Sequence, residues 1–229
     1  LTAENVTVKA NSSLPAALSK ISRLERLSFG PSGENPLRRC LSLLDVTMDG
    51  TLQFSIIARH AFMAESLLRS ALRSGAWSQE RMEEFKASIT SIASRMGNDF
   101  RKVLGGLMGK EDFLSAYGHL RPGSFDILSP RYDQRDGLFS ESPSKDAPES
   151  GSGHQPFMLR PDEREAFSGL LKEAGVPVSP EELLDYARMG ISGREHAKFV
   201  FTKSLSAAIE LIAEWGEEIG LTREHLAFL

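Results

Sequence analysis

The chain reads as all-α: a multi-helix bundle with a long, ordered central loop and a mobile surface excursion. Three observations carry that reading. Apolar residues recur at three- and four-residue spacing, no stretch alternates with period two for a useful length, and no fixed-period repeat appears. At 229 residues the chain can bury a sizeable core. We expect an irregular lead-in over 1–12 and a single helical domain over 13–229.

In order, Ser13 is the expected N-cap of a helix over about 13–28, with Leu14, Leu18, Ile21 and Leu24 on one face. Pro36 opens a shorter helix, 36–45, because its missing N–H has no intrahelical partner at that position. Asp49-Gly50-Thr51 then starts a helix over 52–74, apolar over most of its circumference and stopped by Gly75. Ser78 caps a helix over 78–104 whose first turns are acidic, as the helix dipole favours. A short helix spans 110–117. The loop 118–160 follows, with 140–156 almost free of apolar residues and expected to be mobile. The remaining helices are 161–174, 180–190, 192–219 and 222–228, with a Ser179–Glu182 capping box before the second of them.

Composition excludes several classes. Lys+Arg is 27 against Asp+Glu 31, a formal net charge of −4, which argues against a nucleic-acid binder. The single cysteine, Cys40, allows no intramolecular disulfide and no thiolate metal site, and is read as buried. No metal ligand set is expected. No apolar run of span length and no signal peptide are seen, so the chain is expected to be cytoplasmic, with no membrane partner.

The stretch Tyr117–Asp133 carries both breakers (Gly118, Pro122, Gly123, Pro130) and side chains fit for chemistry (His119, Arg121, Asp126, Arg131). Such a loop is expected to be held in one shape, by an Arg121–Asp126 ion pair or with Arg121 turned to a ligand. His119 is a candidate acid or base near neutral pH, or a structural hydrogen-bonding residue. Further on, Arg194, Lys198 and Thr202 share a helix face at i, i+4, i+8 and suit a phosphate or carboxylate, or form a solvated basic face. Glu65 and Arg69 are spaced to pair with each other. Phe54, Phe62 and Phe201 are expected to wall a site for a small organic molecule. His154, in the polar excursion, is read as a solvated loop histidine.

The run Y-G-H-L-R-P-G-S-F-D-I-L-S-P-R-Y at 117–132 resembles a signature of phosphoenolpyruvate-synthase-like and rifampin-phosphotransferase-like, PEP-utilising enzymes. The segments G-R-E-H-A-K-F-V-F-T-K-S-L-S at 193–206 and G-T-L-Q-F-S-I-I-A-R-H-A-F at 50–62 resemble two further signatures of that family, in the same order. The resemblance implies the central helical domain of an ATP-dependent phosphotransferase, not catalytic as an isolated chain and read as a piece of a longer polypeptide. ATP and Mg would bind a separate domain, and a swivelling phosphohistidine domain, in cis or trans, would visit the small-molecule acceptor. It also implies catalytic roles for Arg194 and Lys198, with Arg121, His119, Asp126 and Thr202 on the substrate side. Ser124 stands where many relatives carry an acidic residue. The competing expectations are a non-catalytic helical interaction module and a small-molecule sensor.

Overall fold

A computed structural model of the chain describes residues 13–27, 35–140 and 157–228. The expected lead-in, the excursion at 141–156 and His154 within it lie outside them. The described residues form eight α-helices: α1 (Ser13–Glu25), α2 (Pro36–Arg73), α3 (Gln79–Ala87), α4 (Ile92–Leu104), α5 (Lys110–Tyr117), α6 (Pro161–Glu173), α7 (Pro180–Glu218) and α8 (Arg223–Leu226). One 3-10 turn, Tyr132–Gln134, lies between α5 and α6, and no strand occurs among the described residues. The protein is an all-α bundle.

Three expected boundaries are corrected. The helices expected at 36–45 and 52–74 are one, α2, and those at 180–190 and 192–219 are one, α7. The glycines at these two joins are packing residues. A Cβ on Gly50 would stand 2.5 Å from the Phe201 Cβ, and one on Gly190 would stand 3.2 Å from the Ala61 backbone. Glycine costs a helix only about 1 kcal/mol, and here it lets a neighbouring helix come close. Conversely, the helix expected over 78–104 is two, α3 and α4. The break falls in the run Ser88-Ile89-Thr90-Ser91, where hydroxyls compete for helix carbonyls; Ser88 Oγ donates to the Phe85 carbonyl at 2.6 Å.

The span expected as one domain gathers into two compact units: Leu1–Ser22, Leu52–Ile92 and Gly151–Ala197 form the first, and Arg23–Thr51, Ala93–Ser150 and Lys198–Leu229 the second. In the first, Trp77 sits among Phe85, Phe157 and Phe167, with ring centroids 5.1–6.3 Å away. Arg81 lies over the Phe157 ring and donates from Nε to Glu163 at 2.7 Å. Glu65 accepts from Arg69 at 3.0 Å, as its spacing predicts, and also from Lys86 at 2.7 Å. Ser13 is the first helical residue of α1 rather than a cap outside it, and its hydroxyl meets His60.

In the second unit, Cys40 and Leu43 of α2 pack on Ala208 and Leu211 of α7, with Thr47 Oγ1 2.9 Å from Ser204 Oγ. Cys40 is buried, as expected, and burial pushes its thiol pKa up. A second cluster joins Val103, Phe113 and Tyr117, with Phe100, Phe139 and Phe199 against it.

One expectation about membranes is corrected. By length and composition α2 is long and apolar enough to cross one, with a mean hydropathy of 1.2 over its best window. The same helix buries Gln53 and His60 and seats Gly50 on Phe201, and 28% of that window is buried.

Candidate ligand site in the second unit

The bend that follows α5 is closed on itself. Gly118 N–H caps α5 on the Leu114 carbonyl at 2.7 Å, and a Cβ there would stand 2.4 Å from that oxygen, so the position excludes any side chain. The chain then returns: Tyr132 N–H donates to the Leu120 carbonyl at 2.8 Å and Asp133 N–H to the Gly118 carbonyl at 3.2 Å.

Arg121 holds the bend to α7. Its side chain is 1% exposed. It donates from Nη1 to the carbonyls of Asp126 and Ser129, both at 3.2 Å, and from Nη2 to Ser206 Oγ at 3.1 Å and Glu210 Oε1 at 2.8 Å. The expected ion pair with Asp126 is therefore corrected: Asp126 offers Arg121 its carbonyl, while its carboxylate accepts from Leu128 N–H at 2.9 Å in a local turn. The counter-ion is Glu210, which also accepts from Gln134 Nε2 at 2.6 Å and Arg223 Nη2 at 2.7 Å. Burial pushes the Glu210 carboxyl up, but the hydrogen bonds from Arg223, Gln134 and Arg121 outweigh it and hold the pKa at about 2. Arg121 is a clasp, and every guanidinium NH2 group it owns is spent on protein.

His119 is different. It is buried, at 5% exposure, and neither ring nitrogen has a hydrogen-bond partner. Only its backbone is engaged, the carbonyl accepting from Ser206 Oγ at 2.7 Å. Burial first, and then the charge of Lys203, lower its pKa to about 4, against the backbone of Phe199 and Ala116, which raises it. It is a neutral imidazole at pH 7, which corrects the expectation of a group titrating near neutrality. Its ring meets Phe199 edge-on at 4.8 Å.

Phe199 forms one wall of a hollow of about 260 Å³ in this unit. Tyr117 and Ala116 at the end of α5, Val200 on α7 and Leu24 complete the apolar lining. Arg95 and Lys203 stand on the same lining, both exposed, together with Glu25. Tyr117 Oη donates to Asp99 at 2.9 Å, and burial followed by that bond raises its pKa to about 12, so the phenol stays protonated.

The remaining expected site residues fall elsewhere. Lys198 is exposed and does not line the hollow. Thr202 is buried, and its hydroxyl donates to the Lys198 carbonyl at 2.8 Å within its own helix, so that donor is spent. In the first unit, the Arg194 guanidinium lies 5.8 Å from the centre of the Phe62 ring. Residues 194, 198 and 202 lie roughly 150° around α7 from the face formed by 199, 200 and 203, at 3.6 residues per turn. The expected walls are corrected too: Phe62 is 64% exposed and Phe201 packs on Gly50, and neither lines the hollow.

Sequence reasoning missed Glu210, Arg95 and Lys203. Glu210 left a signal, an acidic residue inside the apolar run Ile209–Ile212. Arg95 and Lys203 left none, because solvated cations are common on helices. Among the described residues no cluster of histidine, cysteine or carboxylate side chains could hold a metal ion. Compared with family models, curated proteins and solved structures, the chain matches none.

Proposed function

We propose that the chain is the central, acceptor-side helical domain of an ATP-dependent phosphotransferase that works through a phosphohistidine and resembles phosphoenolpyruvate synthase. The supporting observation is convergence. The 117–132 segment and the 198–206 part of another segment that carries the resemblance meet in the second unit, through His119 and Arg121 on Ser206, and supply Tyr117 and Phe199 to one hollow's lining. On this reading the acceptor sits in the hollow. ATP and Mg are handled by a separate domain, and a swivelling domain brings the phosphohistidine, whose P–N bond breaks as a bond to an acceptor oxygen forms. Arg121 and Asp126 shape the bend. The resemblance gives the incoming phosphoryl to Lys198, exposed on α7, with Arg194 one turn before it, a pair that does not line the hollow.

The test is transfer of label to the acceptor from ATP labelled at both its β- and γ-phosphates, in the presence of the ATP-binding and phosphohistidine domains. Lys198→Ala is expected to abolish acceptor phosphorylation and spare phosphorylation of the histidine. Wild-type acceptor turnover in that variant removes Lys198 from the mechanism.

A second reading, a non-catalytic interaction module, is favoured by one observation: α2 leaves Leu37, Leu41 and Met48 exposed. Flanking reading frames without ATP-grasp and phosphohistidine sequences would favour it over the first.

A further inference from the structure

The hollow of the second unit combines features that a packed helical core does not require. Its lining holds two aromatic rings, Tyr117 and Phe199, at a centroid separation of 5.9 Å and tilted by 57°. Two cations, Arg95 and Lys203, stand on the same lining. Against Phe199 lies a histidine with both nitrogens unpartnered, and Lys203 is close enough to act on its charge. His119 itself does not line the hollow; it backs the Phe199 wall.

We propose that this hollow binds a small organic acid, its carboxylate taken by Arg95 and Lys203 and its apolar body laid against Tyr117 and Phe199. Size sets the class from below. A volume of about 260 Å³ holds roughly nine waters at 30 Å³ each, so a three-carbon acid would leave most of it empty. Charge sets it from above. Glu25 shares the lining, and Asp99, which accepts from Tyr117, is near enough to Arg95 to feel its charge. Two cations facing two carboxylates sum to zero, so each negative charge on a ligand adds repulsion, and one is favoured over the two or more of a phosphate ester at pH 7. The site stands on this geometry alone; only the ligand's role as phosphoryl acceptor rests on the function proposed above.

The test uses the full chain and three probes: benzoate, uncharged benzamide and inorganic phosphate, each titrated by calorimetry. Benzoate is expected to bind saturably in the millimolar range, with benzamide about tenfold weaker, the loss of one charge-assisted hydrogen bond. Phosphate is expected to bind more weakly than benzoate. Arg95→Ala and Lys203→Ala should each weaken benzoate about tenfold and leave the melting temperature unchanged, since both side chains are exposed. Equal binding of benzamide, tighter binding of phosphate, or unchanged benzoate affinity in both variants overturns the proposal. Benzoate binding as expected, alongside failure of phosphoryl transfer in the assembled system, keeps the site and removes the phosphotransferase reading.

Discussion

Two buried histidines divide the molecule's polar interior into two kinds. His60, in the first unit, is fully engaged: Nε2 lies 2.7 Å from Ser13 Oγ and Nδ1 lies 2.9 Å from Tyr186 Oη. His119, in the second, is as deeply buried and has no partner on either nitrogen. Burial, helped by a neighbouring cation, lowers both pKa values: Arg59 in the first case, Lys203 in the second. The contrast teaches that burial alone does not mark a site. An engaged histidine specifies a core, whereas His119, without a side-chain partner, backs an aromatic wall of the hollow.

The largest expected effect breaks the second half of this comparison by releasing the bend that carries His119. Glu210→Gln removes the counter-ion of Arg121, whose side chain is 1% exposed. Stranding that cation should cost about 3–5 kcal/mol in chemical unfolding, and a loss below ~1 kcal/mol would mean the clasp is dispensable.

Next comes a pH test. The folded pKa of His119 is about 4, below its usual value of about 6.5, so the unfolded chain binds more protons between those two values. Stability is therefore whole above pH ~6.5 and falls as pH drops toward ~4, by on the order of 3 kcal/mol. Below that window Glu210 takes over: held at about 2, its contribution is lost as pH falls from the ordinary carboxylate range. His119→Leu should flatten the upper window alone. An unchanged slope there would show that His119 is solvated.

The first half of the comparison is sharpened by His60→Leu, expected to cost about 2 kcal/mol because Tyr186 and Ser13 each lose a partner. The smallest effect belongs to His119→Leu at pH 7. With no hydrogen bond to lose, the change should stay within ~1 kcal/mol and can stabilise. Equal losses at the two histidines would erase the distinction between them.

Much of the fold was legible because periodicity and capping are local. Ser78 accepts from Arg81 N–H, Ser179 and Glu182 form their box, and α5 spans the residues expected of it. What failed was long-range. Gly50 reads as part of a helix start, and a gap falls after residue 190, since nothing within a few residues tells of Phe201 or Ala61 closing in. The candidate site was legible only in outline: the bend was rightly singled out as held in one shape, and Arg121 as a possible clasp. Its true partner, Glu210, is 89 residues away, beyond any spacing rule. The Arg194, Lys198, Thr202 stripe is a real helix face, yet helical spacing cannot say which face of α7 a hollow opens on.

The measurement that bears most directly on this account is a titration of the ¹⁵N-labelled chain with benzoate. The amides of Ala116, Tyr117, Phe199, Val200 and Lys203 should move together and saturate, while those of Tyr186 and Gly190, near His60, stay in place. Shifts spread evenly over both histidine environments, or none at the hollow, would contradict it.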